Sequence, residues 1–513
     1  MRKASVTCLI VAFFAGFAFP QAVNICGRVT DQSGKPLINT IIRLGQTRFD
    51  NGYGMSPYFT TTDINGQYHL GTGTCVANIQ SDAKPARINA FSQPVYFAGK
   101  VLFGLPQSNS SVKMSLYDLG GRFVRDVLDK MLTKGNYSVS VDTRAISSQF
   151  YILKVAIDGA ISIIKLQPAS RGTANGIVAQ NVSEFHAHLE KLAAVVDTLR
   201  ATEPGYTLGV KPIQALSGQV DFTLTINNTW NGDTAAFWDT TKIKKEPGKI
   251  WYTILNRTGG QFPDSMIYWA IGDGGAAHRL SDGNTIDFTN NASGRLYIMV
   301  GYKPGNPLRP QNQSWDFEEH TNGLVNGSLW FHGNTTRVDA YGVPIAYRLH
   351  CTDGYDMVRG EEYHVYFQTR ASFFAEYENE VPYEFSDLGT IQAPYRIPNP
   401  GSNGAALATG GKYANYWTKY CQAFNVNASA YLNGIASPDT SAACHRHVMG
   451  MTNDQRANDT NYYKATPCNF YSYFLHRRAM ANKCYGFPYD DVANGSSYLE
   501  HGNVSWLAIA VGY

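Results

Sequence analysis

The sequence contains little charge. Of its 513 residues, 43 are Lys or Arg and 40 are Asp or Glu, so charged side chains make up 16% and the formal net charge is +3. A nucleic-acid-binding protein needs a concentrated basic surface, and the sequence has neither a Lys/Arg block nor an acidic tail. This balance excludes nucleic acid as an expected partner.

Long apolar runs are also missing. The N-terminal MRKASVTCLIVAFFAGFAFPQA joins Arg2 and Lys3 to an apolar run that is too short to cross a bilayer. This arrangement is typical of a secretory signal peptide, which we predict at 1–22 with cleavage near Ala22. No later stretch reaches about 18 apolar residues. We therefore expect a protein that is secreted or held at the cell surface, without membrane insertion.

Common catalytic signatures are absent as well. There is no G-x-S-x-G elbow, no phosphate-binding loop and no H-E-x-x-H motif. The sequence CHRH at 444–447 contains metal-ligand residue types, but no second cluster has matching spacing, so we predict no metal and no cofactor. Among the eight cysteines, Cys26 and Cys75 are expected to pair, and the connectivity of the others is open.

Aromatic and glycine residues are plentiful. Aromatics make up 13% of the chain, with 32 Tyr, and there are 48 Gly. Such a composition favours β-rich exported proteins and sugar binding, because flat rings can stack on pyranose faces. The length predicts three or four domains.

Two resemblances mark the N-terminal half. Residues 23–86 resemble the carboxypeptidase-regulatory-like β-sandwich through Gly27, Val29, Asp31, Gly34, Pro36, Thr62, Asp63, Gly66 and Tyr68. Residues 87–166 are similar to immunoglobulin-like, FlgD-like and sorting modules through strands such as VKMSLYDLGGRFVRDV. Both are expected to act as spacers or attachment units. Residues 167–227 are interpreted as a linker with short strands and a helix at Phe185–Leu199.

Residues 228–513 read as one large, mostly β unit. The predicted strands include IWYTILN, MIYWAIG, RLYIMVGY, TRVDAYGVPIAYRL, EYHVYFQ and SWLAIAVGY. Helical spacing occurs at Tyr413–Phe424 and Asn469–Met480.

A group of carboxylates in this unit lies among aromatic residues. The segment SWDFEEHTNG contains Glu318 and Glu319, and Asp339 follows about twenty residues later. A pair of carboxyl groups is what glycoside hydrolysis requires, one to protonate the leaving oxygen and one to activate water or attack the sugar. Spacing alone is a weak signal, because most such carboxylates are solvated surface charges.

The order of the motifs strengthens this hypothesis. The C-terminal part resembles glycoside hydrolase family 64, the inverting β-1,3-glucanases related to thaumatin-like proteins. The matching stretches are GRLYIMVGY, WDFEEHTN, TRVDAYGVPIAYRL, PYRIPNPG and NFYSYFLHRRAMANKCYGFPYDDV followed by SWLAIAVG.

The resemblance implies roles for individual residues. Glu319 takes the position of the general acid and Asp339 that of the general base, with Glu318 as the competing acid. An inverting mechanism predicts that the two carboxyl groups lie about 6.5–9.5 Å apart. The implied substrate-binding residues are Thr321, Asn322, Trp315, Trp330, Arg446, Asp490 and Asp491.

Alternatives remain open for several of these residues. Trp315 and Trp330 are equally suited to core packing, and Asp490 and Asp491 to a turn that binds backbone N–H groups. His320, beside Glu319, is suited to tuning the proton of that carboxyl group, and a surface position is the simpler interpretation.

Together these features predict a mainly β, multidomain protein. Two N-terminal β-sandwich modules would precede a thaumatin-like β-barrel with a mixed α/β subdomain. The predicted function is endo-hydrolysis of β-1,3-glucan, such as laminarin, curdlan or fungal wall glucan, by a monomer. The rival hypotheses are a non-catalytic glucan-binding protein and a cell-surface adhesin.

Overall fold

The computed structural model describes only part of the chain. The described residues are 23–45, 59–71, 95–97, 100–105, 108–118, 122–141, 151–166, 176–180, 197–213, 216–289, 293–305, 309–427, 432 and 437–513. The predicted signal peptide, Cys75 and most of the helix predicted at Phe185–Leu199 lie outside them. The last residues of that helix prediction were wrong, since a strand begins at Asp197. No helix in the described ranges is long and apolar enough to span a membrane.

The structure is mainly β, as predicted. The strands are β1 (Asn24–Asp31), β2 (Ile41–Leu44), β3 (Phe59–Thr61), β4 (Gln67–Gly71), β5 (Val95–Phe97), β6 (Lys100–Leu105), β7 (Ser110–Asp118), β8 (Phe123–Leu132), β9 (Gly135–Ser140), β10 (Tyr151–Ile157), β11 (Ala160–Leu166), β12 (Gly176–Gln180), β13 (Asp197–Thr202), β14 (Gly209–Ile213), β15 (Ser217–Gln219), β16 (Phe222–Leu224), β17 (Trp251–Asn256), β18 (Ile267–Ile271), β19 (His278–Arg279), β20 (Thr285–Asp287), β21 (Ser293–Val300), β22 (Ser314–Val325), β23 (Ser328–Thr335), β24 (Ala340–Tyr341), β25 (Ile345–Cys351), β26 (Asp356–Gly360), β27 (Ile397–Pro398), β28 (Leu499–His501) and β29 (Val504–Val511).

The helices are short and lie mostly in the last third of the chain. The α-helices are α1 (Thr234–Trp238), α2 (Arg370–Glu380), α3 (Leu388–Ile391), α4 (Thr418–Gln422), α5 (Pro438–Arg446), α6 (Asn453–Ala457) and α7 (Phe470–His476). The 3-10 helices are Asp264–Met266, Leu280–Asp282, Tyr363–Phe367, Tyr383–Phe385, Asp459–Asn461, Met480–Asn482 and Val492–Asn494.

One compact unit comprises residues 77–197 and 212–215. Its strands form two four-stranded sheets, ordered β11-β10-β7-β8 and β12-β9-β6-β5. Apolar residues from both sheets, such as Phe103 and Val139 on one and Met114 and Leu153 on the other, share one buried cluster. The alternation of apolar and polar residues along these strands therefore yields a sandwich.

The second unit contains the rest of the chain, including the N-terminal strands. Strand β1 pairs in parallel with β15 and β16 and antiparallel with β4, whereas β2 pairs with β3 and β13. Parallel neighbours need a long connection, and here the connection contains the whole of the first unit. Strands from 197–224, a segment interpreted from sequence as linker, thus complete the sheets begun by 23–71.

Two larger sheets form the framework of residues 250–513. Their orders are β20-β17-β29-β25-β26 and β19-β18-β21-β22-β23-β28. Side chains from both, including Tyr252 and Ile509 on one and Ile298 and Phe331 on the other, share a buried core. Neither sheet closes into a barrel within the described residues, so the thaumatin-like barrel stays a prediction.

A second core lies among the helices. It joins α2, α4, α5 and α7 and includes Phe373, Trp417 and Phe474. The predicted helical segments at Tyr413–Phe424 and Asn469–Met480 contain α4 and α7, although each helix is shorter than its pattern.

The strand predicted at EYHVYFQ was wrong. Residues Tyr363–Phe367 form a 3-10 helix. Trp230 stacks on Tyr363 at 5.0 Å and lies 4.9 Å from Phe367, measured between ring centroids. In a strand, residues four apart share a face but lie about 13 Å apart, too far for both rings to contact one indole. Tertiary contact therefore outweighs the β preference of the segment.

The N-terminal strands also belong to the helical core. Ile41 and Phe59 are buried in it, and the Phe59 ring meets Phe470 edge to face at 5.8 Å. Arg477 forms ion pairs with Glu203 at 2.9 Å and with Glu380 at 2.7 Å. Residues 23–71 and 197–224 therefore help to hold α2 and α7.

A truncated chain that begins at residue 228 should consequently be unstable. It loses the burial of Ile41 and Phe59, worth roughly 1.5–3 kcal/mol each, and one carboxylate partner of buried Arg477. We expect aggregation or a melting temperature at least about 10 °C lower, measured by differential scanning fluorimetry. Glu203→Gln in the full chain should show a smaller loss. Equal stability of the truncated and full chains would contradict this role.

The buried His445 and the half-buried His364 make stability depend on pH. Burial, assisted by Arg478, lowers the pKa of His364 to about 3, and burial likewise lowers that of His445 to about 3, against an ordinary value of 6.5. Between pH 6.5 and 3 the unfolded histidines bind protons that the folded ones do not. Stability should therefore fall as pH drops through this range, by up to about 1.4 kcal/mol per pH unit for each histidine. Urea unfolding at pH 7 and pH 5 measures this loss of stability. The loss should be smaller in His364→Gln. A free energy of unfolding that is equal or larger at pH 5 would refute the prediction.

Candidate functional site

Strand β22 separates the two glutamates that compete for the role of acid. Glu318, His320 and Asn322 are buried, whereas the Glu319 side chain is 35% exposed and Thr321 is exposed. Successive side chains of a strand point to opposite faces. Glu318 and Glu319 therefore lie on different sides of the six-stranded sheet.

Glu318 belongs to the core side. Its carboxylate lies 2.7 Å from Nδ1 of His320, and burial raises the pKa of Glu318 while His320 opposes that rise. Asn322 donates to the Tyr252 hydroxyl at 2.9 Å. Glu318 and Asn322, both singled out from sequence, are thus occupied by core partners.

Glu319 lies on the open face and forms an ion pair with Arg295. Arg295 of β21 is directly opposite Glu319 in the antiparallel register. Nε of Arg295 donates to Oε1 of Glu319 at 2.9 Å, and Nη2 of Arg295 lies 2.8 Å from the same oxygen in an ion pair. One carboxylate oxygen of Glu319 is therefore held by a guanidinium.

The same face continues across the neighbouring strands. Thr321 pairs with Ser293 of β21 and with His332 of β23, and Gly323 pairs with Trp330. Opposite residues of a ladder share a face, so Thr321 and Trp330 lie on the same side as Glu319. Trp330 is half-buried and stacks with His332 at 5.8 Å.

Asp339 is exposed in the turn between β23 and β24. The Asn399 amide N–H donates to the Asp339 carbonyl at 3.1 Å, and Asn399 Nδ2 donates to the Val338 carbonyl at 2.6 Å. The backbone on the N-terminal side is fixed by Arg337, which is 1% exposed. The position of the Asp339 backbone is thus set by a loop and a buried ion pair.

Arg337 connects that turn to β22. It forms ion pairs with Asp316 at 2.7 Å and Glu361 at 2.8 Å. Burial opposes its charge, but the two carboxylates outweigh burial and raise the pKa of Arg337. Asp316 also accepts the Gly342 N–H at 2.7 Å. A Cβ at Gly342 would lie only 1.9 Å from the Trp315 carbonyl oxygen, so glycine permits this close approach.

Tyr485 and Asp491 reach the same region from the C-terminal segment. Thr336 forms a parallel bridge with Tyr485, whose hydroxyl donates to Asp491 at 3.1 Å. Burial raises the pKa of Tyr485, and the negative charges of Asp491 and Glu319 raise it further. Tyr485 was not singled out from sequence, although it lies within the KCYGF motif.

Trp315 is less available than the sequence suggested. Its indole N–H donates to the Pro310 carbonyl at 3.0 Å, and the Arg396 guanidinium covers the ring at 3.8 Å from its centroid. Arg396 is buried, and burial lowers its pKa. One face of Trp315 is therefore occupied by an arginine.

Arg446 and Asp490 lie in a buried network. They form an ion pair at 2.8 Å, and Asp490 also accepts from Nε2 of His476 at 2.8 Å and from the Gly486 N–H at 2.9 Å. Of the three sugar-binding residues predicted here, Arg446, Asp490 and Asp491, only Asp491 is exposed. We therefore leave Arg446, Asp490 and Asn322 out of the proposed site.

The CHRH sequence has separate partners for its side chains. The sulfur of Cys444 lies 3.3 Å from that of Cys421, and His445 lies 3.0 Å from the Asn469 amide nitrogen. Cys26 is disulfide-bonded. Among the described residues, three metal-ligating side chains come together elsewhere, at Cys351, Asp353 and His501.

Comparison with protein families bears on the C-terminal segment that carries Tyr485 and Asp491. Residues 425–511 match the glycoside hydrolase family 64 model, described as Beta-1,3-glucanase. The family 64 resemblance is confirmed for the C-terminal part. The resemblances of the N-terminal modules stay predictions.

Solved structures of family 64 glucanases are also similar to the chain. A laminaripentaose-producing β-1,3-glucanase from Paenibacillus barengoltzii is 25% identical, with a TM-score of 0.46 over 82% of this chain and 98% of its own. The complex of that enzyme with laminarihexaose is 24% identical, with a TM-score of 0.46 over 83% of this chain and 100% of its own. A β-1,3-glucanase domain from Clostridium beijerinckii is 21% identical, with a TM-score of 0.44 over 53% of this chain and 100% of its own. These TM-scores are low, so we base no argument on them. No curated protein matches the sequence significantly.

Proposed function

We propose that the protein is a secreted endo-β-1,3-glucanase that cleaves laminarin, curdlan or fungal wall glucan to short oligosaccharides. The observation that carries the proposal is the place of the family 64 segment beside the chain that leads to Asp339. Tyr485 of that segment forms a β-bridge with Thr336, three residues before Asp339, and the negative charge of Glu319 contributes to the raised pKa of Tyr485.

The proposed chemistry divides the work between two carboxyl groups. Glu319 protonates the glycosidic oxygen, and Asp339 takes a proton from the water that attacks the anomeric carbon, with inversion. Glu319 is favoured over Glu318 because it lies on the open sheet face, whereas Glu318 is bonded to His320 in the core.

Sugar binding is proposed for the same open face. Thr321 offers a hydroxyl beside Glu319, Trp330 offers a partly exposed ring, and Asp491 lies beyond Tyr485. Trp315 has one ring face covered by Arg396, so we propose for it a supporting role at the edge of the sugar path.

The direct test is incubation of the purified chain with laminarin and with curdlan. Soluble products are sized by chromatography, and the anomeric configuration of fresh product is read by proton NMR. Release of short oligomers as α-anomers supports the proposal. Retention on insoluble glucan without release would favour a glucan-binding protein. Binding to cells with neither release nor glucan retention would favour an adhesin.

Arg295 should matter for the rate more than for binding. Its guanidinium holds Oε1 of Glu319 through one hydrogen bond and an ion pair, so Arg295→Met frees the acid to rotate away from the glycosidic oxygen. We expect kcat on laminarin to fall about 10–100-fold with little change in KM, and Arg295→Lys to recover part of it. Arg348→Met is the matched control, because Arg348 pairs with Asp356 instead. Equal kcat values for Arg295→Met and wild type would contradict this role.

A further inference from the structure

A thiol, a carboxylate and an imidazole meet at one end of the two large sheets. Cys351 ends β25, where the register shifts after His350, Asp353 lies in the following turn, and His501 ends β28. The three ligand atoms all lie within 4.8 Å of one another. None of these residues belongs to the proposed glucanase site.

The backbone around the three side chains is held in place. The Cys351 N–H donates to the Tyr355 carbonyl at 2.8 Å, and the Thr352 N–H donates to the Asn503 carbonyl at 2.8 Å. The His501 ring stacks on Tyr355 with centroids 3.9 Å apart and planes 7° apart. The arrangement is therefore set by two loops that are bonded to each other.

The ligand types identify the class of ion. Thiolate, imidazole and carboxylate are the ligands of zinc, which is commonly held by three protein ligands and a water. The thiolate disfavours magnesium and calcium, which prefer oxygen. His501 Nε2 and Asp353 Oδ2 are 3.0 Å apart, so both can approach a common ion at about 2.0 Å with little movement.

We propose that Cys351, Asp353 and His501 bind one divalent ion of the zinc class. The ion would join β25 of the five-stranded sheet to β28 of the six-stranded sheet. Asn503, which donates to Asp353 Oδ2 at 3.1 Å, would orient the carboxylate from outside the ligand set.

Ion binding has a defined proton balance. The Cys351 thiol proton is released to solvent, and the imidazole proton moves from Nε2, which now donates to Asp353, to Nδ1. Binding of the ion therefore releases one proton from the protein.

The test uses Co²⁺, which gives a thiolate charge-transfer band when sulfur binds it. The full chain is freed of metal with chelator and titrated at neutral pH. We expect one equivalent of Co²⁺ to produce the band, Zn²⁺ to displace it, and Zn²⁺ to raise the melting temperature. Cys351→Ser should abolish the band, and His501→Gln and Asp353→Asn should weaken binding at least about tenfold.

His278→Gln is the matched control, because His278 is exposed and stacks on Trp269 outside the cluster. It should bind Co²⁺ like wild type. No band in wild type, or an undiminished band in Cys351→Ser, would overturn the proposal. If Cys351→Ser fails to fold, His501→Gln decides, and unchanged affinity in that variant refutes the site.

Discussion

Replacing Glu319 with Gln should reduce oligosaccharide release from laminarin by about 100- to 10,000-fold, the range for loss of a general acid. Gln has nearly the same shape but cannot donate the proton. Because Glu319 is partly exposed and lies on the open sheet face, the fold should be unchanged by circular dichroism. Binding to insoluble glucan should also be retained.

Glu318→Gln is the matched control for this prediction. It makes the same change one residue away, on the core side of β22, where the carboxylate bonds His320. We expect it to lower stability and leave turnover largely intact. Inactive Glu318→Gln with active Glu319→Gln would transfer the acid role to Glu318 and invalidate our assignment.

Asp339→Asn should be as inactive on laminarin as Glu319→Gln, but an activated substrate should distinguish the two variants. A dinitrophenyl leaving group needs no protonation, so an activated aryl laminarioside should restore turnover in Glu319→Gln. It should not restore Asp339→Asn, where activation of water is lost. Restoration in both variants, or in neither, would refute this division of roles.

Replacing Arg337 with Met should destabilise the protein by about 3–5 kcal/mol, the usual cost of leaving buried charges unpaired. Asp316 and Glu361 would lose a guanidinium at 2.7 and 2.8 Å in a region closed to water. Hydrolysis should fall even at temperatures where the variant is folded, because Arg337 fixes the backbone two residues before Asp339. Urea unfolding and laminarin assays measure the two effects.

Arg348→Met provides the comparison for Arg337. Arg348 of β25 also forms an ion pair, with Asp356 of β26 at 2.6 Å. Its side chain is 25% exposed and that of Asp356 is 31% exposed. Its loss should cost less than about 1 kcal/mol and leave hydrolysis unchanged. Similar losses in both variants would show that burial of the Arg337 network is not what stabilises the turn.

Much of the framework follows from local sequence pattern. Apolar runs rich in β-branched and aromatic residues predicted β17, β18, β21, β25 and β29, and each of these strands contributes to the shared core. The alternation of side chains along a strand separates Glu318 from Glu319 once one knows which face is buried. The segment EYHVYFQ shows the limit of this approach, because its aromatic residues suit a strand as well as the turn that packs on Trp230.

For several residues, the sequence allowed more than one role, and only the tertiary structure distinguished between the roles. Arg446 and Asp490 are more than forty positions apart, and sequence could not tell that they neutralise each other in the interior. Tyr485 had no motif of its own that linked it to Glu319. The N-terminal strands looked like a spacer, yet Ile41 and Phe59 lie in the helical core.

The sequence by itself determined the strand periodicity, the low charge and the family 64 motifs, because these depend on the order of neighbouring residues along the chain. Only the tertiary structure decided which carboxylate is open, which ion pairs are buried and which strands complete the N-terminal sheets. Those properties arise from contacts between distant segments, and burial, not residue type, determines whether a charge is available for chemistry or neutralised within the fold.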